Sequence, residues 1–160
     1  MTLTLNIGCG DRTYEEYPTG YRCINLDERT DLTGTDIVCS AETLPFPDEH
    51  FDYVLASDII EHFPITKTTA LLKEWCRVMK TGAVMEIRTP DMAWVAKHYT
   101  DNKDAKSVSY HIFGGQNYSG NFHYVIFDTN WLQALCKDVG LYLVSTESVH
   151  SNFILKVKKN

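Results

Sequence analysis

Leu3-Thr4-Leu5-Asn6-Ile7-Gly8-Cys9-Gly10 is an apolar, strand-forming run that stops at two glycines flanking one small residue. Glycines at the end of a strand let the backbone turn sharply and let a ligand approach where a Cβ would collide. The pattern alone also fits a strand end that only needs a turn, so its meaning depends on the residues beyond Gly10. Asp11 to Gly20 is polar, contains Pro18, and lacks the apolar spacing of a helix, so it reads as a loop. Tyr21-Arg22-Cys23-Ile24-Asn25-Leu26-Asp27 is a second strand ending in an acid. An acid there either grips the two hydroxyls of a ribose or caps a turn.

The whole chain has 160 residues, the size of one domain spanning 1–160, with 44% hydrophobic and 22% charged residues. No stretch approaches the ~18 apolar residues that cross a membrane, and the N-terminus lacks a basic segment followed by an apolar one. The five cysteines are dispersed without a Cys-x-x-Cys pair, which fits buried thiols in a reducing cytoplasm. A net charge of −6 argues against a broad nucleic-acid surface. The one basic cluster, Lys156, Lys158 and Lys159, reads as a solvated end.

Further strands are expected at Asp36–Cys39, Phe51–Ser57, Ala83–Arg88, Leu141–Val149 and Phe153–Lys158. Between the first two of these, Pro45 and Pro47 fix an extended loop. A helical stripe of Leu71, Leu72, Trp75, Val78 and Met79 starts near Thr66, with Gly82 placed to close it. A second helix is expected over Asp91–Lys103, and a third, capped by Thr129 and closed by Gly140, carries Trp131, Leu132, Leu135, Cys136 and Val139. Residues 104–128 resist assignment, and the glycine- and aromatic-rich segment 112–124 reads as a lid or substrate-contacting loop. Crossovers of helix length imply parallel pairing. The three residues between the last two strands are too few for one, so the final strand must run antiparallel. The expected class is α/β: a layered, mostly parallel sheet with an antiparallel C-terminal edge strand.

With Ala41-Glu42-Thr43-Leu44-Pro45-Phe46-Pro47-Asp48-Glu49-His50-Phe51-Asp52-Tyr53-Val54, Glu61-His62 and Leu71-Leu72-Lys73-Glu74 added in register, the stretch from Leu3 to about Asp91 resembles the class I methyltransferases that use S-adenosyl-L-methionine. It looks like a small branch of that family that keeps little beyond the cofactor-binding core, and the resemblance implies that the sheet is Rossmann-like and doubly wound, in a three-layer α-β-α sandwich. The resemblance implies that Gly8, Cys9 and Gly10 line the methionine part of the cofactor and that Asp27 holds the ribose. Ser40, Ala41 and Glu42 would surround the adenine with Leu44 nearby, and Asp58 would lie beside the methionine portion and the substrate entrance. Three positions depart from the family: Asn6 where an acid is usual, Arg12 where a third glycine is common, and Ser40 where an Asp is frequent. With ten residues between Gly10 and Tyr21, the first crossover helix is shortened or missing, so the cofactor is expected to be more open, or covered by a second copy or a partner subunit.

A methyl acceptor with a proton to lose is helped by a base, and histidine suits neutral pH. His123, in the aromatic loop, is the preferred catalytic candidate. His62 is the second, although Glu-His there recurs with the family's fold. Either can also be a histidine that only bonds backbone. Asp91, His98, His111 and His123 lack a recognised metal-ligand spacing, so no metal is expected. Three functions remain: methyl transfer to a small-molecule or carbohydrate-like acceptor, a non-catalytic S-adenosylmethionine-binding subunit, or an NAD-dependent oxidoreductase. The absent third glycine and the reversed last strand speak against the oxidoreductase.

Overall fold

A computed structural model describes residues 2–160. Seven strands, β1 (Leu3–Ile7), β2 (Arg22–Asp27), β3 (Ile37–Val38), β4 (Phe51–Ser57), β5 (Met79–Pro90), β6 (Leu141–Val149) and β7 (Asn152–Lys159), form one sheet in the order β3-β2-β1-β4-β5-β7-β6. β1 to β5 pair in parallel, and β7 runs antiparallel to both of its neighbours, β5 and β6. The fold is therefore Rossmann-like and mostly parallel, with the last strand reversed as expected. That strand sits one place in from the edge, with β6 outside it. The side chains explain the insertion: Phe153, Leu155 and Val157 of β7 are buried, whereas β6 buries Leu141 and leaves Tyr142 to Ser148 exposed.

Helix α1 (Ile65–Val78) and helix α4 (Thr129–Asp138) cover one face of the sheet. Leu71, Leu72, Trp75, Leu132 and Cys136 join Leu5, Ile7, Leu26, Val54, Met85 and Ile87 in a single core. Residues 8–50 contain no helix, so the connections β1–β2, β2–β3 and β3–β4 are all loops. The part of the second face next to these connections is therefore covered by loop rather than by helix. It is polar: Thr4, Asn6, Asn25 and Glu86 are buried there beneath the 11–21 segment. Thr4 bonds the Tyr17 carbonyl, Asn25 exchanges bonds with the Tyr14 main chain at 3.0 and 2.9 Å, and Glu86 accepts from Tyr17 Oη at 2.9 Å.

Several element ends also differ from expectation. α1 stops at Val78, and Gly82, at φ +84°, lies within the longer β5 rather than closing the helix. The N-cap of α4 is Asp128, whose carboxylate accepts the Trp131 N–H at 2.7 Å, one residue before Thr129. Helix α2 (Met92–Asn102) is capped by Asp91, and a further helix, α3 (Ala105–Phe113), occupies part of the unassigned region. α3 buries no residue fully: Val108 and Ile112 are half-buried while Tyr110 and Phe113 are exposed, so its apolar residues do not gather into one buried stripe. Among the described residues, no helix is long and apolar enough to cross a membrane.

Candidate active site

The strand order reverses between β1, which pairs with β2 on one side, and β4 on the other. Open α/β sheets bind ligands beyond the carboxyl ends of the strands at such a point. A cleft of about 380 Å³ opens there, lined by Gly8, Cys9, Gly10 and Arg12 after β1, Asp27 to Arg29 after β2, Asp58 and His62 after β4, and Tyr118 to Gly120 from the aromatic segment.

Both glycines have left-handed backbone, φ +64° at Gly8 and +52° at Gly10. A Cβ on Gly8 would meet Ile59 side-chain atoms at 2.6 Å, while one on Gly10 would meet no protein atom within 4 Å. Gly8 is thus required by packing, and Gly10 keeps the main chain bare where it faces the cleft. The Asp27 carboxylate accepts N–H bonds from Gly10 at 2.9 Å and Arg29 at 3.0 Å, which fix it at the β2 tip with lone pairs to spare. Asn6 is buried beneath the turn, and its amide donates to the Arg12 carbonyl at 2.9 Å and to Asn25 Oδ1 at 3.1 Å. The bond to Arg12 needs a donor, so Asn6 holds the loop in a way an ionised acid could not. Arg12, in the place of the third glycine, reaches across the cleft mouth to Asp58 at 2.7 Å. Asp58, at φ +55°, is also paired with Arg88 and accepts from Asn152 Nδ2 at 2.7 Å.

The segment expected around an adenine is only partly at the cleft. Ala41 lines a small recess of about 30 Å³ with Gly8, Leu26, Asp27, Cys39 and Ile59. Ser40 turns its hydroxyl to the Glu42 N–H, and Glu42 is ion-paired with Lys67; neither lines the recess. Leu44 is buried in the core. The recess is held by α1, because Trp75 Nε1 donates to the Ala41 carbonyl at 2.9 Å. Glu28, Arg29 and Ile59 are not marked by the sequence pattern, whereas Tyr118 to Gly120 belong to the segment 112–124 read there as a lid. The Arg29 guanidinium lies 4.5 Å over the Tyr118 ring, which closes one wall of the cleft by a contact between segments 89 residues apart in sequence. No local pattern could have revealed it.

A second cavity of about 340 Å³ shares Arg12, Asp58, His62 and Tyr118 with the first and adds Glu61, Arg88 and His123 among its lining. The two candidate histidines meet here, with ring centroids 4.8 Å apart. His62 Nδ1 faces the Gly120 and Phe122 carbonyls at 3.1 and 3.0 Å, and His123 Nδ1 faces the His111 carbonyl at 2.9 Å. A carbonyl only accepts, so Nδ1 carries the proton on each ring and Nε2 the lone pair. Burial lowers the pKa of both, which keeps them neutral. Glu61, on the turn of 3-10 helix Ile60–His62, is fully buried. Burial first and the Asp58 charge second push its carboxyl up to about 8. Its Oε2 accepts from Thr89 Oγ1 at 3.1 Å, and its Oε1 has no partner.

A methyltransferase-domain family model matches residues 5–87. The ubiquinone/menaquinone biosynthesis C-methyltransferase of Xanthomonas oryzae pv. oryzae is 37% identical over 78 residues, 46% of this chain and 30% of that protein. The match therefore spans under a third of that curated relative's length. Among solved structures, a methyltransferase of Thermotoga maritima described as S-adenosylmethionine-dependent superposes with a TM-score of 0.69 at 20% identity, covering 100% of this chain and 83% of that one. A Burkholderia thailandensis 1,6-didemethyltoxoflavin N1-methyltransferase, solved with that compound and S-adenosylhomocysteine, superposes at 0.69 and 12% identity, covering 99% of this chain and 71% of that one.

Proposed function

The chain belongs to the class I S-adenosylmethionine-dependent methyltransferase family, and from that premise we propose that it transfers the methyl group of S-adenosyl-L-methionine to a small-molecule or carbohydrate-like acceptor. The observation that carries this reading is the pair of adjoining cavities, one under the bare Gly8–Gly10 turn and one at His62 and His123, with Asp58 and Arg12 between them. Methyl transfer from a sulfonium needs two ligands abutting in line, and juxtaposition supplies much of the rate.

In this reading the methionine portion lies along Gly8, Cys9 and Gly10. The Asp27 oxygens take the ribose hydroxyls, and the adenine edge enters the Ala41 recess, with Ser40, Glu42 and Leu44 shaping it from behind. His123, with His62 beside it, accepts the acceptor's proton through Nε2. Residues 112–124 act as the lid. A pocket of this size and the negative charge of the chain suit a small molecule in the cytoplasm better than a nucleic acid. The acceptor named in the Burkholderia protein is likewise a small molecule. With no helical layer over the first crossover, the open side of the cleft is left for a second copy of the chain or a partner subunit.

Calorimetric titration with S-adenosylmethionine and, separately, NAD tests the cofactor; binding of NAD instead would sink the proposal. Transfer of labelled methyl to a metabolite pool, lost in His123→Ala with cofactor binding kept, is the result expected of an enzyme. Binding with no transfer to any acceptor would leave a cofactor-binding subunit.

A further inference from the structure

We propose that Glu61, His62 and His123 form a binding site for a first-row divalent cation at the floor of the second cavity. One ligand atom from each residue lies within 4.8 Å of the other two. Ligands around a tetrahedral zinc stand about 3.3–3.5 Å apart at bond lengths of about 2.0–2.2 Å, so side-chain shifts of about 1 Å complete the site. Each imidazole is already oriented as a metal ligand would be, with Nδ1–H held by a main-chain carbonyl and Nε2 left as the donor. Glu61 supplies the independent sign. It is 1% exposed, Thr89 occupies one of its oxygens, and Oε1 is buried with nothing to bond. A buried carboxyl oxygen without a partner is costly, and a bound cation removes that cost. The main chain fastens the two halves of the site together, since Tyr124 N–H donates to the Glu61 carbonyl at 2.8 Å.

Two imidazole nitrogens and one carboxylate suit zinc, cobalt(II) or manganese rather than calcium, and three protein ligands leave a coordination position free. That position faces the cavity assigned above to the acceptor. The catalytic part of the inference rests on the methyl-transfer reading and names the acceptor group as a hydroxyl. The cation binds the hydroxyl oxygen and lowers its pKa, and the O–H proton leaves to solvent. The oxygen pair then forms the O–CH3 bond while the C–S bond breaks and its electron pair returns to sulfur. The products are S-adenosylhomocysteine, the methyl ether and one proton. Here the histidines ligate rather than accept a proton, and Glu61 becomes necessary.

The full chain, stripped with chelator, is titrated with Zn²⁺ by calorimetry and with Co²⁺ by its visible spectrum, and S-adenosylmethionine affinity is measured on the same samples. One cation per chain is expected, at least tenfold weaker in Glu61→Gln and His123→Asn, with cofactor affinity in His123→Asn within about twofold of the parent. If Glu61→Gln does not fold, as judged by circular dichroism, His123→Asn decides. Absence of cation binding in the parent, or equal binding in the variants, overturns the site, whereas loss of cofactor binding in the parent would instead overturn the methyltransferase reading. Labelled methyl transfer that vanishes on chelation and returns with Mn²⁺ or Zn²⁺ supports the catalytic role, and transfer undiminished by chelation overturns it.

Discussion

At the scale of single residues, Gly8 and Gly10 share a backbone conformation but answer to different neighbours, and that difference can be measured. Alanine at either position carries about 1–2 kcal/mol for left-handed backbone, which in a domain this size is a Tm loss of roughly 2–8 °C. Gly8→Ala should lose more than Gly10→Ala, because its Cβ also collides with Ile59. Gly10→Ala should lose more S-adenosylmethionine affinity, because its Cβ projects into open cleft. Thermal melts and calorimetry on the pair check both halves. Asp27 is tested best by Asp27→Asn, which keeps one acceptor for the Gly10 or Arg29 N–H. Loss of charged bonds to two ribose hydroxyls should weaken cofactor binding about 10- to 100-fold; unchanged affinity would show the sugar to lie elsewhere. These positions were legible in the sequence because a turn after a strand and an acid at the next strand's tip are local patterns. The grouping of Glu61 and His62 with His123 was not, since it is made where the segment 114–124 returns to bond Glu61 and His62.

At the scale of elements, α1 does more than cover the sheet, because it moors the helix-free loop before β4. Glu74 Oε1 accepts the Leu44 N–H at 2.7 Å, and Arg77 donates to the Phe46 carbonyl at 2.9 Å and to Asp48 at 2.7 Å. Glu74 and Arg77 are themselves joined at 2.8 Å. The Arg77 hydrogen bonds hold the Glu74 carboxyl below its ordinary 4.5. A depressed folded-state pKa gives stability that is complete above the ordinary value and disappears as the pH falls through the depressed one. Urea midpoints at pH 7 and in the acid range should therefore fall more steeply with acidification in the parent than in Glu74→Gln; parallel curves would show that this pair is not linked to folding. α1 and α4 could be read from the sequence because each lays an apolar stripe on the core. α3 could not, because it buries nothing fully. The reach of β5 back to Met79 was hidden for another reason: residues 80–83 interrupt its pairing with β4, so no continuous alternation marks it.

At the scale of the whole molecule, the two faces of the sheet are held by different forces. Helices and apolar burial hold one, whereas the part of the other next to the first connections is closed by a single segment bonded to polar side chains that rise from the strands. The sequence did signal the missing crossover helix through the ten residues before Tyr21. It did not signal that Thr4, Asn6, Asn25 and Glu86 would take over the work of an apolar layer, since polar residues in a strand ordinarily read as solvent-facing. Glu86 is the centre of that layer, accepting from Tyr17 Oη at 2.9 Å and Tyr53 Oη at 2.7 Å, with Lys156 at 3.0 Å. The same segment begins with Asp11 and Arg12, both in the lining of the first cleft, so loosening it should be felt at the site. Tyr17→Phe removes one bond to a charged acceptor, worth about 1.5–3 kcal/mol, and leaves the helical face untouched. Hydrogen exchange should then quicken across residues 11–21 while the amides of α1 and α4 keep their protection, and S-adenosylmethionine affinity should fall severalfold although Tyr17 does not line the cleft. Exchange that quickens equally on both faces would mean that the segment and the helical core open as one unit. The polar layer would then be an ordinary part of the core rather than a separate fastening of the active-site loop.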